Sequence, residues 1–206
     1  EISARVRAIL RCTRAEPLAS EQPAPTELFL HDAERRRIRY HRQWLELTRY
    51  EYLILSTLLR RPEQMELVRS GLSDDETMTD ELLRYDSPVQ TSGRRLTRDT
   101  VIGGVEVAAD EMVLTALGSA NRDPAFWGDA ADTLDVTRAG AARHLSFGSG
   151  VHHCLGAALA RMEGEIGITR LVRRFPDLAL ADEPTYNARI ILRGRETFPL
   201  ILGSAA

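Results

Sequence analysis

Cys154 is the residue whose type and surroundings point most clearly to chemistry. It closes the run Phe147-Gly148-Ser149-Gly150-Val151-His152-His153-Cys154, and the residues at 155–159 read as the start of a helix. A thiol at a helix N-terminus faces backbone N–H groups that lack intrahelical partners, and these groups stabilise its thiolate. A thiolate is the ligand that soft and redox-active metals prefer. The glycines at 148 and 150 allow backbone angles closed to other residues, so the loop can press against a flat ligand.

Three other interpretations of this cysteine are open. The plainest is a buried structural cysteine beside a glycine turn. The second is a zinc site of His152, His153 and Cys154. Adjacent ligands cannot all turn toward one tetrahedral metal without strain, however, and no Cys-x-x-Cys or spaced histidine pair completes the set. The third is a cysteine–histidine nucleophile, which requires an exposed thiolate, whereas the apolar and aromatic residues of this segment favour a covered one.

The spacing of the loop, Phe-Gly-x-Gly-x-His-x-Cys-Leu-Gly, resembles the haem-binding loop of the cytochrome P450 superfamily. The likeness is closest to its soluble bacterial members, which are haem-thiolate monooxygenases, and it continues through Leu159-Ala160-Arg161 and Glu163. The resemblance implies that Cys154 is the iron ligand of haem b (iron protoporphyrin IX). It also implies that the cofactor is held by residues on both sides of the thiol, namely Phe147, Gly148, Gly150, His152 and Gly156.

Glu81 and Arg84 stand three residues apart in a segment predicted to be helical, so they share one face. Taken alone, they read as a surface ion pair of little energetic consequence. Together with the cysteine loop they resemble the Glu-x-x-Arg pair of the same family. In bacterial members its partner arginine lies in an Asp-x-x-Arg pattern, here 135–138. The resemblance therefore implies a structural network of Glu81, Arg84 and Arg138 that holds the loop rigid.

Arg94 lies in the run Gly93-Arg94-Arg95-Leu96-Thr97-Arg98-Asp99, between residues typical of strands. By itself it reads as a solvated charge at a strand edge. The run resembles a family segment whose first arginine reaches a haem propionate, and His152 matches a loop histidine that contacts propionate as well. The resemblance thus implies that Arg94 and His152 bind the propionates, which need charge-assisted donors where they are buried.

The elements that must position these residues follow from periodicity and turn signals. We expect a helix that includes 79–85, a strand pair around the Gly-Gly turn at 103–104 and a long helix at about 155–173. Closing strands are expected near 178–180, 190–192 and 198–202. Nearer the N-terminus, apolar spacing predicts a short helix, a proline-rich linker at 15–26, short antiparallel strands between 28 and 47, and a helix that begins at 48–51 and ends by Pro62.

Residues 1–61 resemble a different family, the OmpR-like response regulators. The first helix is similar to the end of their receiver domain, and Leu47-Thr48-Arg49-Tyr50-Glu51-Tyr52 is similar to the start of their winged-helix DNA-binding domain. The phosphoacceptor region and the recognition helix are missing from the match, so we do not expect DNA to be a partner. We therefore predict two parts, a response-regulator-like segment at 1–61 and a partial haem-thiolate domain at 62–206.

Composition sets broad limits. The chain has 206 residues and a formal net charge of −3, which gives no overall attraction to nucleic acid or anionic membranes. Its two cysteines, at 12 and 154, suggest no disulfide framework. No run approaches the roughly 18 apolar residues of a membrane span, and no signal peptide is visible. We expect a cytoplasmic protein with no membrane partner.

The predicted fold class is α+β. It combines the mostly helical C-terminal part of the cytochrome P450 fold, including small sheets, with a short β-rich, winged-helix-like piece before it. The resemblance implies a monooxygenase that inserts one atom of O2 into a small organic substrate, with electrons from a ferredoxin or flavoprotein. Because only residues 60–206 resemble it, we expect a truncated or chimeric chain that cannot turn over alone. The alternatives are a DNA-binding regulator fragment and an inert fusion.

Overall fold

The computed structural model describes residues 29–32, 37–40, 43–46, 49–186, 188–194 and 200–203. At the N-terminal end of this range, three strands pair antiparallel in the order β1-β2-β3, where the sequence predicts strands. Their bounds are Phe29–Asp32 for β1, Arg37–Tyr40 for β2 and Gln43–Glu46 for β3. The predicted first helix and proline-rich linker lie outside the described residues. The likeness of 1–61 to a response regulator, including its winged helix, stays a prediction.

Helices account for most of the regular secondary structure in the described residues from 49 onward. The helix at 62–69 begins with Pro62, a residue favoured in the first turn. The helix at 75–85 is capped by Asp74, whose carboxylate accepts a 2.9 Å hydrogen bond from the backbone N of Thr77. The last one confirms the long helix expected at about 155–173. In chain order they are α1 (Arg49–Leu59), α2 (Pro62–Arg69), α3 (Asp75–Tyr85), α4 (Leu117–Ala120), α5 (Pro124–Trp127) and α6 (Ala157–Arg174).

Three further strand pairs are small and antiparallel. They are β4 (Ser92–Arg95) with β7 (Met112–Thr115), β5 (Thr100–Ile102) with β6 (Val105–Val107), and β8 (Ala179–Leu180) with β9 (Leu200–Ile201). Gly103 and Gly104 join β5 to β6 with φ of 58° and 83°, the left-handed pair that a two-residue hairpin turn requires. The strand predicted at 190–192 was wrong in extent, because only Leu192 forms a bridge, opposite Val89.

The described residues form a hydrophobic core between α1, α2, α3 and α6. It includes residues of α1 such as Leu55 and Leu58, which stand before the predicted division at residues 61 and 62. That division is untested and stays a prediction. Within the described part of the chain, no helix is long and apolar enough to cross a membrane.

The contact between α3 and α6 is close because Gly164 of α6 faces Thr79 of α3. A Cβ placed on Gly164 would stand 2.7 Å from Cγ2 of Thr79, well inside the van der Waals distance. Thr79 is fully buried and β-branched, so it has little freedom to move away. The absence of a side chain at 164 therefore sets how near α6 approaches α3, which carries Glu81 and Arg84.

We predict opposite effects of alanine at two glycines of α6. Gly164→Ala is expected to lower the free energy of unfolding by about 1–3 kcal/mol, because the new methyl group overpacks the interface with Thr79. Gly167→Ala is the control, since nothing lies within 4 Å of its added Cβ. It should raise the free energy of unfolding by about 0.5–1 kcal/mol through helix propensity. Urea denaturation measures both, and equal stabilisation by the two changes would contradict the prediction.

Candidate functional site around Cys154

Cys154 lies at the end of a tight loop directly before α6. The loop is closed by a 2.9 Å hydrogen bond from the backbone N of Cys154 to the backbone O of Phe147. A 3-10 turn at Gly150–His152 lies within it. The backbone O of Cys154 accepts a 3.2 Å bond from Ala157, the first residue of α6. The cysteine is thus fixed to both the loop and the helix, and its thiol is free and exposed.

Three glycines give the loop its shape. Gly148 and Gly150 have φ of +71° and +68°, in the left-handed region that favours glycine. Gly156 precedes the first turn of α6, and a Cβ at that position would lie 3.7 Å from the sulfur of Cys154. The residues that the family resemblance assigns to the cofactor, apart from Arg94, therefore lie in one contiguous turn around the thiol.

The surface beside the thiol is apolar and open. Val151 and Leu155, on either side of Cys154 in the chain, are 98% and 104% exposed. The expectation of a covered thiol was wrong, because the apolar side chains next to it point into solvent rather than over the sulfur. Exposed apolar side chains beside a free thiol are consistent with a surface that binds an apolar ligand.

Arg84 is fully buried, and every donor of its guanidinium has an acceptor. Its Nε and Nη2 bind the two carboxylate oxygens of Glu81 at 2.6 and 2.9 Å, a bidentate pair. The remaining donors reach the backbone oxygens of Asn121, Ala131 and Thr133 at 2.7, 2.8 and 3.0 Å. The side chain of Arg84 therefore binds the backbone at three positions in the segment between β7 and the cysteine loop.

Arg138 contacts the same carboxylate. Its Nε donates to Oε1 of Glu81 at 3.1 Å, and its Nη2 donates to the backbone oxygens of Ala130 and Thr133, both at 2.9 Å. The backbone N of Asp135 adds a 2.9 Å bond to that oxygen of Glu81. The structure thus brings together Glu81, Arg84 and Arg138, with one carboxylate between two guanidinium groups.

A second buried carboxylate, which sequence reasoning missed, lies one residue earlier on α3. Asp80 is 1% exposed, and its Oδ1 is 2.6 Å from Nε of Arg161 and 3.1 Å from Nε2 of His144. Burial acts to raise the pKa of Asp80, but hydrogen bonds from His144 and Arg161, together with the positive charge of Arg161, lower it overall. The carboxylate therefore stays ionised. The sequence offered one signal for it, an acidic residue between the apolar residues Met78 and Leu82. The structure shows that both of these are fully buried.

Buried polar side chains fix the segment that enters the loop. Asn121 accepts a 2.7 Å bond from the backbone N of Leu145 and donates to Oγ of Ser146 at 3.0 Å. That hydroxyl accepts a further bond from Ser87 and donates to the backbone O of Leu83 at 2.7 Å. The residues directly before Phe147 are thereby tied to the end of α3.

Arg94 and His152 are both exposed. The Nη1 of Arg94 donates to Oγ of Ser92 at 2.6 Å and to the backbone O of Gly93 at 2.8 Å, both on its own strand. Among the described residues, the hydrogen bonds of Arg94 do not reach the cysteine loop. The protein alone does not join Arg94 to His152.

The alternative chemistries of the thiol have little support here. In the part of the chain that the structure describes, no three His, Cys, Asp or Glu side chains converge where a metal ion could bind. The exposed thiol meets one requirement of a nucleophile. Activation by a neighbouring base requires a hydrogen bond between the thiol and a histidine. Among the described residues, the thiol forms no such bond.

Comparison with known proteins assigns the chain to a family. The family model for cytochrome P450 matches residues 76–189, which contain all but the first residue of α3, the three-residue network and the cysteine loop. The chain belongs to the cytochrome P450 family. The P450 relationship also explains why the small sheets accompany a mostly helical core.

Several P450 relatives show how much of the family's length is present. The chain is 42% identical over 148 residues to putative cytochrome P450 140 of Mycobacterium bovis, covering 72% of this chain and 34% of that protein. It is 42% identical over 150 residues to the vitamin D(3) 25-hydroxylase of Pseudonocardia autotrophica, covering 71% and 37%. The chain therefore spans about a third of the length of these curated relatives.

Solved P450 structures are similar in fold. The P450 PksS of the Bacillus subtilis bacillaene polyketide synthase superposes with a TM-score of 0.69 at 35% identity, over 77% of this chain and 42% of that one. P450BioI, solved in complex with a fatty-acid-ligated acyl carrier protein, gives a TM-score of 0.68 at 39% identity, over 76% and 41%. The helices and small sheets thus have the P450 fold.

The cofactor of this P450 family is haem b. The residues around Cys154 fit such a group in two respects. A free, exposed thiol offers the sulfur that the iron of a haem-thiolate protein requires. The positive-φ glycines and the exposed Val151 and Leu155 provide an open apolar surface for a flat macrocycle.

Proposed function

We propose that this chain carries the proximal half of a haem-thiolate site, with Cys154 as the iron ligand, and that the site serves a cytochrome P450 monooxygenase. The observation that carries the proposal is the exposed thiol of Cys154, held between two left-handed glycines and the first turn of α6. The match to the P450 family model supports it. A reducing compartment such as the cytoplasm would keep this thiol available.

Each side chain of the proposed site has a distinct task. Cys154 holds the iron, while Phe147 and the glycines at 148, 150 and 156 shape the surface against which the macrocycle lies. Arg94 and His152 donate hydrogen bonds to the propionates. Their exposed positions support this, because neither side chain needs to break an ion pair to bind a carboxylate. Glu81, Arg84 and Arg138 hold the loop in place and take no part in the reaction.

When bound through a thiolate, haem supplies the activation of O2 that transfers one oxygen atom to an organic substrate. The chain orients the ligand sulfur and covers one side of the cofactor. Electrons would come from a ferredoxin or flavoprotein, and a small organic molecule would be the substrate. The hydroxylases among the relatives support that substrate class, since two of them are named for vitamin D(3) and for 6-deoxyerythronolide B.

The contribution of residues 1–61 remains separate from this proposal. We propose that the chain combines a response-regulator-like segment with a partial P450 domain, so that it binds haem but does not complete the reaction alone. The DNA-binding alternative gains no support from the described residues, which provide three short strands before α1. Retention of duplex DNA in a gel-shift assay, abolished by removing residues 1–61, would revive it.

The proposed function is tested by titrating the full chain with haemin and recording the Soret band. We expect saturable uptake at one haem per chain and, after reduction and addition of carbon monoxide, the red-shifted band of a thiolate–CO complex. Absence of haem uptake by the wild-type chain would overturn the proposal. A CO complex without the red shift would exclude the thiolate as ligand.

A matched pair of variants tests the propionate assignment in the same titration. Arg94→Gln is expected to weaken haem binding about tenfold or more, because a charge-assisted hydrogen bond is lost. Arg95→Gln is the control, since this neighbour on β4 is also exposed and lies 3.7 Å from the carboxylate of Asp110. Equal haem affinities for the two variants would contradict the role of Arg94.

A further inference from the structure

Asp80 and Glu81 are adjacent in sequence but support different parts of the site. Glu81 binds Arg84 and Arg138, which anchor the chain at 121–138. Asp80 instead binds His144 and Arg161, which lie before and after the cysteine loop. Two consecutive carboxylates of α3 therefore form two separate networks of hydrogen bonds and ion pairs.

The first arm of the second network leads from Asp80 to the start of the loop. The Nδ1 of His144 accepts a 3.0 Å hydrogen bond from the backbone N of Ser146. The ring proton is therefore on Nε2, which donates to Asp80 at 3.1 Å. His144 is 5% exposed, and its ring lies 5.4 Å from that of Phe147. The imidazole thus fixes the backbone just before Phe147 and packs against its side chain.

The second arm leads from Asp80 to the helix that follows the loop. Nε of Arg161, one turn into α6, lies 2.6 Å from Oδ1 of Asp80. Its guanidinium stands over the ring of Phe147, with Cζ 4.8 Å from the ring centre, a cation–π contact. Asp80 holds the guanidinium in this place, because a charged, planar group on a surface helix is otherwise free to turn into solvent.

Both arms meet at Phe147, and this residue is joined directly to the ligand. The backbone O of Phe147 accepts the hydrogen bond from the N of Cys154 at 2.9 Å. A shift of Phe147 would therefore move the cysteine. The network that includes Arg84 and Arg138 makes no direct contact with Phe147, since its backbone acceptors lie at 121–133.

We propose that Asp80 is a positioning residue of the haem-thiolate site, which acts through His144 and Arg161 on Phe147 and so sets the place of Cys154. The effect on haem binding rests on the proposed function, whereas the contacts that link Asp80 to Cys154 do not depend on it. It predicts that loss of the Asp80 carboxylate loosens the cysteine loop specifically, and that haem binding weakens as a result.

The first measurement follows amide hydrogen exchange of the full chain without haem, in peptides that cover 144–156. We expect exchange in this loop to be about tenfold faster in Asp80→Asn and in Arg161→Gln than in wild type, because the opening of a local unit follows its own free energy. The control is Asp75→Asn, which breaks an exposed ion pair of α3 with Arg173 at 3.1 Å. That change should leave loop exchange at the wild-type rate.

The second measurement is the haem titration of the same variants. Asp80→Asn and Arg161→Gln are expected to weaken haem binding about tenfold, the usual consequence of losing support behind a metal ligand. Arg161→Lys keeps the charge beside Asp80 but not the planar group over Phe147, so we expect an intermediate loss. Asp75→Asn should bind haem as wild type does.

The outcomes separate this proposal from the proposed function. Unchanged loop exchange in Asp80→Asn and Arg161→Gln would overturn the role of Asp80, whatever the haem titration shows. Faster exchange spread equally over α1, α2 and the loop would also overturn it, since that pattern indicates a general loss of stability. If wild type takes up no haem, the proposed function fails while the exchange experiment still decides the positioning role. If Asp80→Asn does not fold, the milder Arg161→Gln decides it.

Discussion

Replacement of Arg84 by methionine is expected to lower the free energy of unfolding by about 3–5 kcal/mol, the cost of breaking a buried ion pair by removing one partner. Methionine fills a similar space but leaves the fully buried carboxylate of Glu81 with Arg138 as its remaining cation. The backbone oxygens of Asn121 and Ala131 also lose the donor that Arg84 supplied. Urea denaturation of the full chain measures the change.

The matched control for this experiment is Arg173→Met. Arg173 forms an ion pair with Asp75, but both side chains are about 40% exposed, at 42% and 39%. Exposed pairs contribute up to about 1 kcal/mol, so the control should remain near wild type. If Arg84→Met does not fold, Arg84→Lys keeps the charge but offers three donors instead of five and cannot form the bidentate pair, so a large loss of stability is still expected. A loss no greater than that of Arg173→Met would contradict the importance of the buried network.

The second large effect concerns the ligand itself. Cys154→Ser is expected to abolish the red-shifted band of the CO complex at every haem concentration, because a hydroxyl does not supply the thiolate that haem iron requires. The overall fold should persist, since the exposed sulfur makes no hydrogen bond within the described residues. Absorbance after reduction and addition of carbon monoxide gives the result.

Cys12→Ser is the control for the ligand experiment, because it removes the other cysteine of the chain. Its spectrum should match that of wild type. Persistence of the band in Cys154→Ser, or its loss in Cys12→Ser, would show that the ligand lies elsewhere. The thermal unfolding of all three proteins should be measured alongside, so that a lost band is not mistaken for a lost fold.

Parts of this fold were predictable because their signals are local. The helix expected at about 155–173 is found at 157–174, since apolar spacing and a preceding glycine mark it. The hairpin at 100–107 follows from its two adjacent glycines. Glu81, Arg84 and Arg138 were found through fixed offsets that the family resemblance supplies, and the structure places them in contact.

Other parts could not be predicted, because their partners are distant in sequence. Asp80 meets His144 and Arg161 at separations of 64 and 81 residues, and no local pattern marks such a meeting. The exposure of Cys154 also depends on which way Val151 and Leu155 point, and an apolar residue type does not determine that. The prediction of a strand at 190–192 failed because β-forming residues there pair at a single position, Leu192.

The manner in which Arg84 is bound has a consequence for the order of folding. Its contacts with Asn121, Ala131 and Thr133 close chain segments of 37, 47 and 49 residues around one side chain. Each closure costs entropy that rises slowly with segment length, and such distant contacts slow the search for the native state. Because one guanidinium makes all three contacts, we expect the segments around 121 and 131–133 to dock onto α3 together, in one cooperative step of folding.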